Sequence, residues 1–237
     1  MPALKDKTVL IIGRGSGIAR AIALAVSEEG GRVIAVGRHR DDLAGAYTGR
    51  DIDIEQVDVT DESSIAALAT RVGPLDHVVS AASARARGGY ADLTADLVAA
   101  SFSTKVTGAL LLAKHFAGNL PPDGSFLFMS GATALKPAPG MLAVAATNAA
   151  VDAVTAGLAV ELAPIRVNAI APGTIDTGAY DALGEEPKAA LFKARSAANP
   201  ARRIGTADDI GAAALAVLTN GFLTGVSIPV DGGEHLV

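Results

Sequence analysis

The stretch Val9-Leu10-Ile11-Ile12-Gly13-Arg14-Gly15-Ser16-Gly17-Ile18-Ala19 decides the fold. Its first four residues are apolar and partly β-branched, the composition of a strand buried on both faces. Three alternating glycines follow. The chain then runs on as Ala19-Arg20-Ala21-Ile22-Ala23-Leu24-Ala25-Val26, rich in helix formers and free of breakers. Strand, Gly-rich turn and helix together form the geometry that receives a nucleotide pyrophosphate. Glycine lets the backbone approach the phosphates, and the helix start presents unpaired N–H groups with a favourable dipole. A tight turn that merely needs glycine gives a similar pattern, and this Gly-x-Gly-x-x-Gly motif ends in Ala19. Its place between a strand and a helix favours the nucleotide. Gly13, Arg14, Gly15, Ser16, Gly17 and Ile18 are therefore expected to line a cofactor.

Further apolar runs recur at regular intervals: Arg32–Gly37, Ile52–Val57, His77–Ser80, Ser125–Met129, Arg166–Ala171 and Val226–Val230. Helical stretches lie around them, over Ser16–Glu29, Ser63–Arg71, Leu97–Phe116, Leu142–Leu162 and Ala207–Thr219. This alternation predicts an α/β chain with one doubly wound parallel sheet and helices on both faces. No linker, repeat or charge block divides residues 1–237, so one domain is expected. The segment 174–201 is the least regular, and it follows the sixth strand. Ligands bind outside the carboxyl edge of such sheets, which makes 174–201 a candidate substrate lid. A surface excursion with no role is the alternative.

Composition narrows the function. The 237 residues are 50% hydrophobic with a net charge of -5, so disorder and bulk electrostatic binding of nucleic acid are not expected. There is no cysteine, which excludes disulfides, thiolate catalysis and cysteine-bound zinc. His39, His77, His115 and His235 do not fall at metal-ligand spacings. The segment Met1 to Lys7 is charged and leads into no signal-type apolar region, so the expectation is a cytoplasmic protein with no membrane partner.

The second strand ends in Gly37-Arg38-His39-Arg40, where an NAD site usually carries an acid for the adenosine ribose. Arg38 is suited to pairing with a 2′-phosphate, with Arg14 approaching from the Gly-rich turn. NADP(H) is therefore expected over NAD(H), against the alternative of a solvated basic turn. Asp58-Val59, after the third strand, is suited to adenine: the carboxylate accepts from the amino group and Val59 packs on the ring.

With these residues in view, the chain resembles the short-chain dehydrogenase/reductase family over nearly its whole length. Ile12 to Ala19 looks like the family's Thr-Gly-x-x-x-Gly-Ile-Gly turn, and Asp58-Val59 like its adenine pair. Ile165-Arg166-Val167-Asn168-Ala169-Ile170-Ala171-Pro172-Gly173-Thr174-Ile175-Asp176-Thr177 is similar to its sixth strand and following turn. Arg203-Ile204-Gly205, Leu223-Thr224-Gly225 and Val230-Asp231-Gly232-Gly233 look like its C-terminal signatures. The resemblance implies a Rossmann-type seven-stranded sheet. It implies cofactor contacts from Ser80, Ala81, Ala82, Pro172, Gly173, Thr174, Ile175 and Thr177, the turn at Pro172-Gly173 meeting the nicotinamide end. It also implies a homo-oligomer, dimer or tetramer, joined through the two helices rich in small residues, Val98 to Ala117 and Ala143 to Ala163, and the C-terminal strand.

The catalytic set departs from the family. Its Ser, Tyr, Lys and Asn positions align with Gly131, Val144, Asn148 and Lys105. Val144 can give no proton, so the family mechanism does not carry over. Lys and Asn have exchanged helices, which points to a site that keeps one cation. Lys105 and Asn148 are expected to hold the nicotinamide ribose, and Lys105 is a candidate general acid if burial lowers its pKa. A lysine that snorkels to solvent is the competing reading. Ser130 is a further catalytic candidate, although strand alternation turns it away from the neighbouring position and suits it to a local hydrogen bond. Ser83, Arg85, Arg87, Tyr90, Tyr180 and Asp181 are expected near the pocket as surface or binding residues. Two functions follow: an NADP(H)-dependent oxidoreductase acting on a small carbonyl, imine or activated alkene with altered proton delivery, or a non-catalytic NADP(H)-binding sensor or partner subunit. Non-redox chemistry in the same pocket stays open.

Overall fold

Thr8–Ile12 forms β1, and Gly17–Glu28 forms α1 directly after the glycines. A computed structural model describes residues 3–237; Met1 and Pro2, the start of the charged N-terminal segment, lie outside the described residues. The chain continues as β2 (Arg32–Gly37), α2 (Arg40–Ala46), β3 (Ile52–Gln56), α3 (Glu62–Val72) and β4 (His77–Ser80). Then come α4 (Ala95–Phe102), a π-helical segment (Ser103–Thr107), α5 (Gly108–Phe116), β5 (Ser125–Met129) and α6 (Leu142–Glu161). The last elements are β6 (Arg166–Pro172), β7 (Ile175–Asp176), α7 (Glu185–Ala198), β8 (Gly205–Thr206), α8 (Ala207–Thr219) and β9 (Ser227–Val230).

Seven strands form one parallel sheet in the order β3-β2-β1-β4-β5-β6-β9, the doubly wound Rossmann-type arrangement. Its central strands are buried on both faces, which is why they read as unbroken apolar runs. Successive β1 residues serve opposite layers. Leu10 and Ile12 join Val36, Val78, Phe126, Phe128, Leu112 and Phe116 on one face. Val9 and Ile11 join Ala35, Val79, Leu127, Ile22, Val26 and Val217 on the other. The chain leaves β1 towards β3 and returns to β4 beside β1, so the winding direction reverses between β1 and β4. A crevice opens at the carboxyl ends of these two strands.

Three local features were not expected. The stretch read as one helix over Leu97–Phe116 is interrupted by the π segment, which carries Lys105. The basic turn after β2 is only its first step, because Arg40–Ala46 winds into α2 with Asp41 and Asp42 in its first turn. Leu43 is its one buried residue, so no apolar periodicity betrays it. The segment 174–201 is mostly ordered: β7 pairs with β8, and α7 has fourteen residues. No side chain of α7 is buried. It is held by polar and aromatic contacts instead. Lys188 pairs with Asp176 (2.9 Å) and Asp181 (2.6 Å), and the Tyr180 ring meets Phe192 edge-on at 5.5 Å.

Candidate active site

The Gly-rich turn is shaped by close approaches that only glycine permits. A Cβ on Gly13 would stand 2.5 Å from Ala19 Cβ. Gly17 has φ +57, and a Cβ there would come within 3.0 Å of Thr177 Cβ. The start of the segment 174–201 thus sits on the Gly-rich turn. Gly37 explains the missing acid after β2: any Cβ there would lie 2.6 Å from the Gly13 carbonyl oxygen. Ser16, the N-cap of α1, makes no side-chain capping bond, and the first turn of α1 holds no acidic residue. The first N–H groups of α1 therefore remain free for an anion. Ala81, just past β4, donates its N–H to the Ile12 carbonyl (2.8 Å), which sets Ser80, Ala81 and Ala82 beside the turn.

At the far end, Asp58 is drawn below the usual carboxylate range, first by the Thr60 hydroxyl (2.7 Å) and N–H (2.9 Å) that one oxygen accepts, with help from the Arg38 charge. Asp58 and Arg38 are thus brought together in space. They line an open cleft of about 590 Å³ with Arg40, Gln56, Ser64 and Arg71. Arg71 was not singled out, since nothing in the linear sequence places α3 against this edge. A dinucleotide is consistent with these features: open N–H donors at α1, a carboxylate and exposed arginines at the adenosine end, and the Gly17–Thr177 closure between them.

Near the carboxyl end of β5 the π segment turns Lys105 inward, leaving it 9% exposed. Its Nζ donates to the carbonyl oxygen of Ser130 (3.1 Å) and to Asn148 Oδ1. The Asn148 amide is oriented by a second bond, from Nδ2 to Thr133 Oγ1 (2.8 Å). One of the three ammonium N–H groups is left for a ligand. Burial draws the Lys105 pKa down from 10.5 to about 7; the Arg85 charge adds to the fall and Asp152 opposes it. Lys105 and Asn148, exchanged in sequence, are therefore partners in space.

Gly131 belongs to the same change. A Cβ there would stand 2.5 Å from Asn148 Nδ2, so the amide occupies the room of a side chain at 131. Sequence reading took Gly131 as a simple loss, because alignment does not show that the two positions compete for one volume. Ser130 is buried, and its hydroxyl donates to the Asn148 carbonyl (3.1 Å), which commits it to the main chain of α6. That geometry supports the local hydrogen bond over a catalytic role. Val144 is buried and apolar.

Beyond β6, a Cβ on Gly173 would meet Asp231 Cβ at 2.6 Å. Thr174 is held by the C-terminal segment and by β8. Its N–H and hydroxyl donate to Glu234 (2.7 and 3.0 Å), and its carbonyl accepts from Gly205 N–H (3.1 Å). These bonds fix the shape of the turn at Thr174. Pro172 ends β6, Ile175 opens β7 and Thr177 lies against Gly17. Glu234 also pairs with Arg195 of α7 (2.6 Å). Neither Glu234 nor Arg195 carried a sequence signal, since they lie 39 residues apart and meet only in the fold.

A doubly wound sheet with this Gly-rich turn at its switch point is the architecture of a dinucleotide fold. The comparisons make it specific. The family model described as enoyl-(acyl carrier protein) reductase matches residues 12–235. The chain belongs to the short-chain dehydrogenase/reductase family, a family of oxidoreductases. It is 30% identical to short-chain dehydrogenase/reductase ATR9 of Stachybotrys chlorohalonatus, covering 100% of both chains. Among solved structures it is similar to a small-chain dehydrogenase in complex with NADPH, at 31% identity and TM-score 0.85, covering 98% of this chain and 99% of that one. It is also similar to the MalC reductase/Diels-Alderase of Malbranchea aurantiaca, at 25% identity and TM-score 0.92, covering 100% of this chain and 99% of that one.

Proposed function

We propose that the protein is an NADP(H)-dependent oxidoreductase in which Lys105 replaces the family tyrosine at the proton-delivering end of the site. The observation that carries this reading is Lys105 itself: buried, held by Ser130 and Asn148, and drawn to a pKa of about 7. A group that titrates near the working pH can both give a proton and be reloaded. The cofactor supplies hydride. Gly13, Arg14, Gly15, Ser16, Gly17 and Ile18 would hold its phosphates, Asp58 and Val59 its adenine, and Ser80, Ala81, Ala82, Lys105 and Asn148 its ribose end. Pro172, Gly173, Ile175 and Thr177 would bound the nicotinamide.

Arg38 and Arg14, with glycine enforced at 37, support NADP(H) over NAD(H), and the NADPH-bound relative agrees. An imine or an activated alkene fits a lysine donor as well as a carbonyl does. The enoyl reductase description and the reductase/Diels-Alderase relative support that wider range. Val144 and Gly131, which hold no proton, favour a second reading, a binder without turnover. Residues 174–201 would act as the lid. Exposed Leu97, Leu110, Leu142 and Val160 support a homo-oligomer through α4, α5 and α6. Both of those helical spans, Ala95–Asn119 and Leu142–Glu161, are long and apolar enough to cross a membrane, but each also packs on the sheet through Leu112, Phe116, Val151 and Leu158. That packing supports a soluble cytoplasmic protein.

The test is fluorescence titration with NADPH and NADH, then carbonyl, imine and enone substrates followed by NADPH oxidation. Lys105→Met should lower turnover at least about a hundredfold. Arg38→Gln should weaken NADPH about tenfold and leave NADH unchanged. Tight NADPH binding with no turnover anywhere favours the non-catalytic reading, and binding of neither nucleotide refutes both.

A further inference from the structure

Three buried side-chain oxygens have no hydrogen-bond partner among the described residues: Asp152 Oδ1, Thr155 Oγ1 and Ser227 Oγ. All three lie in one layer of the fold. Asp152 and Thr155 continue the face of α6 that carries Asn148, one and two turns further along the helix. Ser227 opens β9. Ile228 and Val230 pack on the side of α1 and α8, so Ser227, one residue before them, faces α6. Its partner across the ladder, Ala169, belongs to the α6-side core. The heights agree as well. Gly225 lies against α6, where an added Cβ would stand 3.5 Å from Ala159 Cβ. Ser227 is two strand residues beyond that contact, about 7 Å. α6 runs opposite to the strands, which puts Thr155 about 6 Å and Asp152 about 10 Å beyond it. Buried oxygens are seldom left without a partner, and water satisfies a hydroxyl and a carboxylate alike.

Asp152 joins this layer to solvent. Its Oδ1 is sealed, yet the residue is only half-buried and forms no ion pair among the described residues. The carboxylate therefore turns one oxygen inward and the other outward. On the inner side stands Lys105. The π segment packs against α6, and Lys105 Nζ bonds to Asn148, one helical turn from Asp152 and about 6 Å along the axis. Its two bonds leave one ammonium N–H free. A single water bridges polar atoms about 5–6 Å apart. Beyond burial, two charges act on Lys105: Arg85, from the segment after β4, opposes the ammonium, and Asp152, from α6, favours it.

We propose that Asp152 passes protons between solvent and Lys105 through water held by Asp152, Thr155 and Ser227. This rests on Lys105 being the proton donor of the reaction. When the ammonium gives its proton to the product, a neutral amine remains. The amine takes a proton from the water, the water takes one from the Asp152 carboxyl, and the carboxylate so formed takes one from solvent. One proton enters for each one delivered, even while cofactor and substrate fill the mouth of the site. Asp152 touches neither of them and acts through Lys105.

The test is proton exchange at Lys105 Nζ, read by NMR near pH 5.5 on protein labelled with [15N]lysine, with and without NADP+. The Lys105 signal is the one missing in Lys105→Met. Asp152→Asn keeps the shape and removes the charge. It should slow exchange at least about tenfold, and Asp152→Glu should recover part of the loss. Thr155→Val should slow exchange by a smaller factor. The Lys105 titration midpoint should fall in Asp152→Asn, because an opposite charge is gone. The NADP+ dissociation constant should change less than about threefold. In turnover of the carbonyl, imine or enone reduced fastest, Asp152→Asn should lower kcat about tenfold, leave KM unchanged and enlarge the solvent deuterium isotope effect.

Equal exchange in wild type and Asp152→Asn, or an unmoved Lys105 midpoint, overturns the proposal. So do a normal kcat and isotope effect in Asp152→Asn while Lys105→Met is inactive, because the acid would then be reloaded from elsewhere; that result removes the proton route and leaves Lys105 as the donor. Slowed exchange in Asp152→Asn together with full turnover by Lys105→Met supports the route and refutes Lys105 as the donor.

Discussion

Lys105→Met should reverse its effect on stability between neutral and alkaline pH. In the folded protein the Lys105 pKa is drawn from 10.5 to about 7, which corresponds to about 5 kcal/mol against the ammonium. The unfolded chain binds the proton more readily, so this penalty is largest below pH 7. It fades as pH rises towards 10.5, and folding stability therefore increases with pH through that window. Methionine removes the penalty at every pH. It also strands two buried acceptors, the Ser130 carbonyl and Asn148 Oδ1, at about 1–3 kcal/mol each. Near pH 6.5 the two effects nearly balance, or methionine wins by a few kcal/mol. Near pH 10 only the stranded acceptors remain, and methionine loses by about 2–6 kcal/mol. Urea unfolding of both proteins from pH 6 to 10 measures the difference. A stability difference that does not change with pH refutes the reasoning, because it would mean that Lys105 titrates as a solvent-exposed lysine does. The experiment needs no substrate and does not depend on turnover.

Other expectations follow from single contacts. Gly131→Ala should destabilise the fold by about 1–3 kcal/mol through the clash with Asn148, and in Asn148→Ala the same change should cost much less; additive effects in urea unfolding would show that the two positions do not share space. His77 is buried 2.9 Å from Ser125 Oγ, and burial holds its pKa near 4. Its folded form resists protonation, so stability should fall by up to about 3 kcal/mol as pH drops from 6.5 to 4. His77→Gln should flatten that limb, and an unchanged acid limb would remove His77 as its source. Glu234→Ala frees the Thr174 N–H and hydroxyl and unties Arg195, so amide exchange at Thr174 and along α7 should quicken severalfold in hydrogen-exchange measurements. Unaltered exchange would show that the C-terminal contact does not hold this segment.

The sequence alone determined the strand–turn–helix opening and the parallel sheet, because each depends on neighbours in the chain. Apolar runs reveal strands buried on both faces, and glycine reveals close backbone approach. It also determined that Lys105 and Asn148 stand where the family has Asn and Lys. What the sequence left open was set by distances between elements. The π segment, and not composition, turns Lys105 inward. Asn148 fills the volume above Gly131, and the Ser130 hydroxyl bonds to the main chain of α6. Thr174 is taken by Glu234, sixty residues away. α2 and α7 escaped notice because their positions depend on few or no buried residues, so no periodic pattern marks them. Arg85 and Asp152 were visible as letters, but only the fold shows that both share a field with Lys105. Local periodicity is written in the order of residues. Burial, and with it the pKa of Lys105, is decided by what the folded chain packs around a side chain.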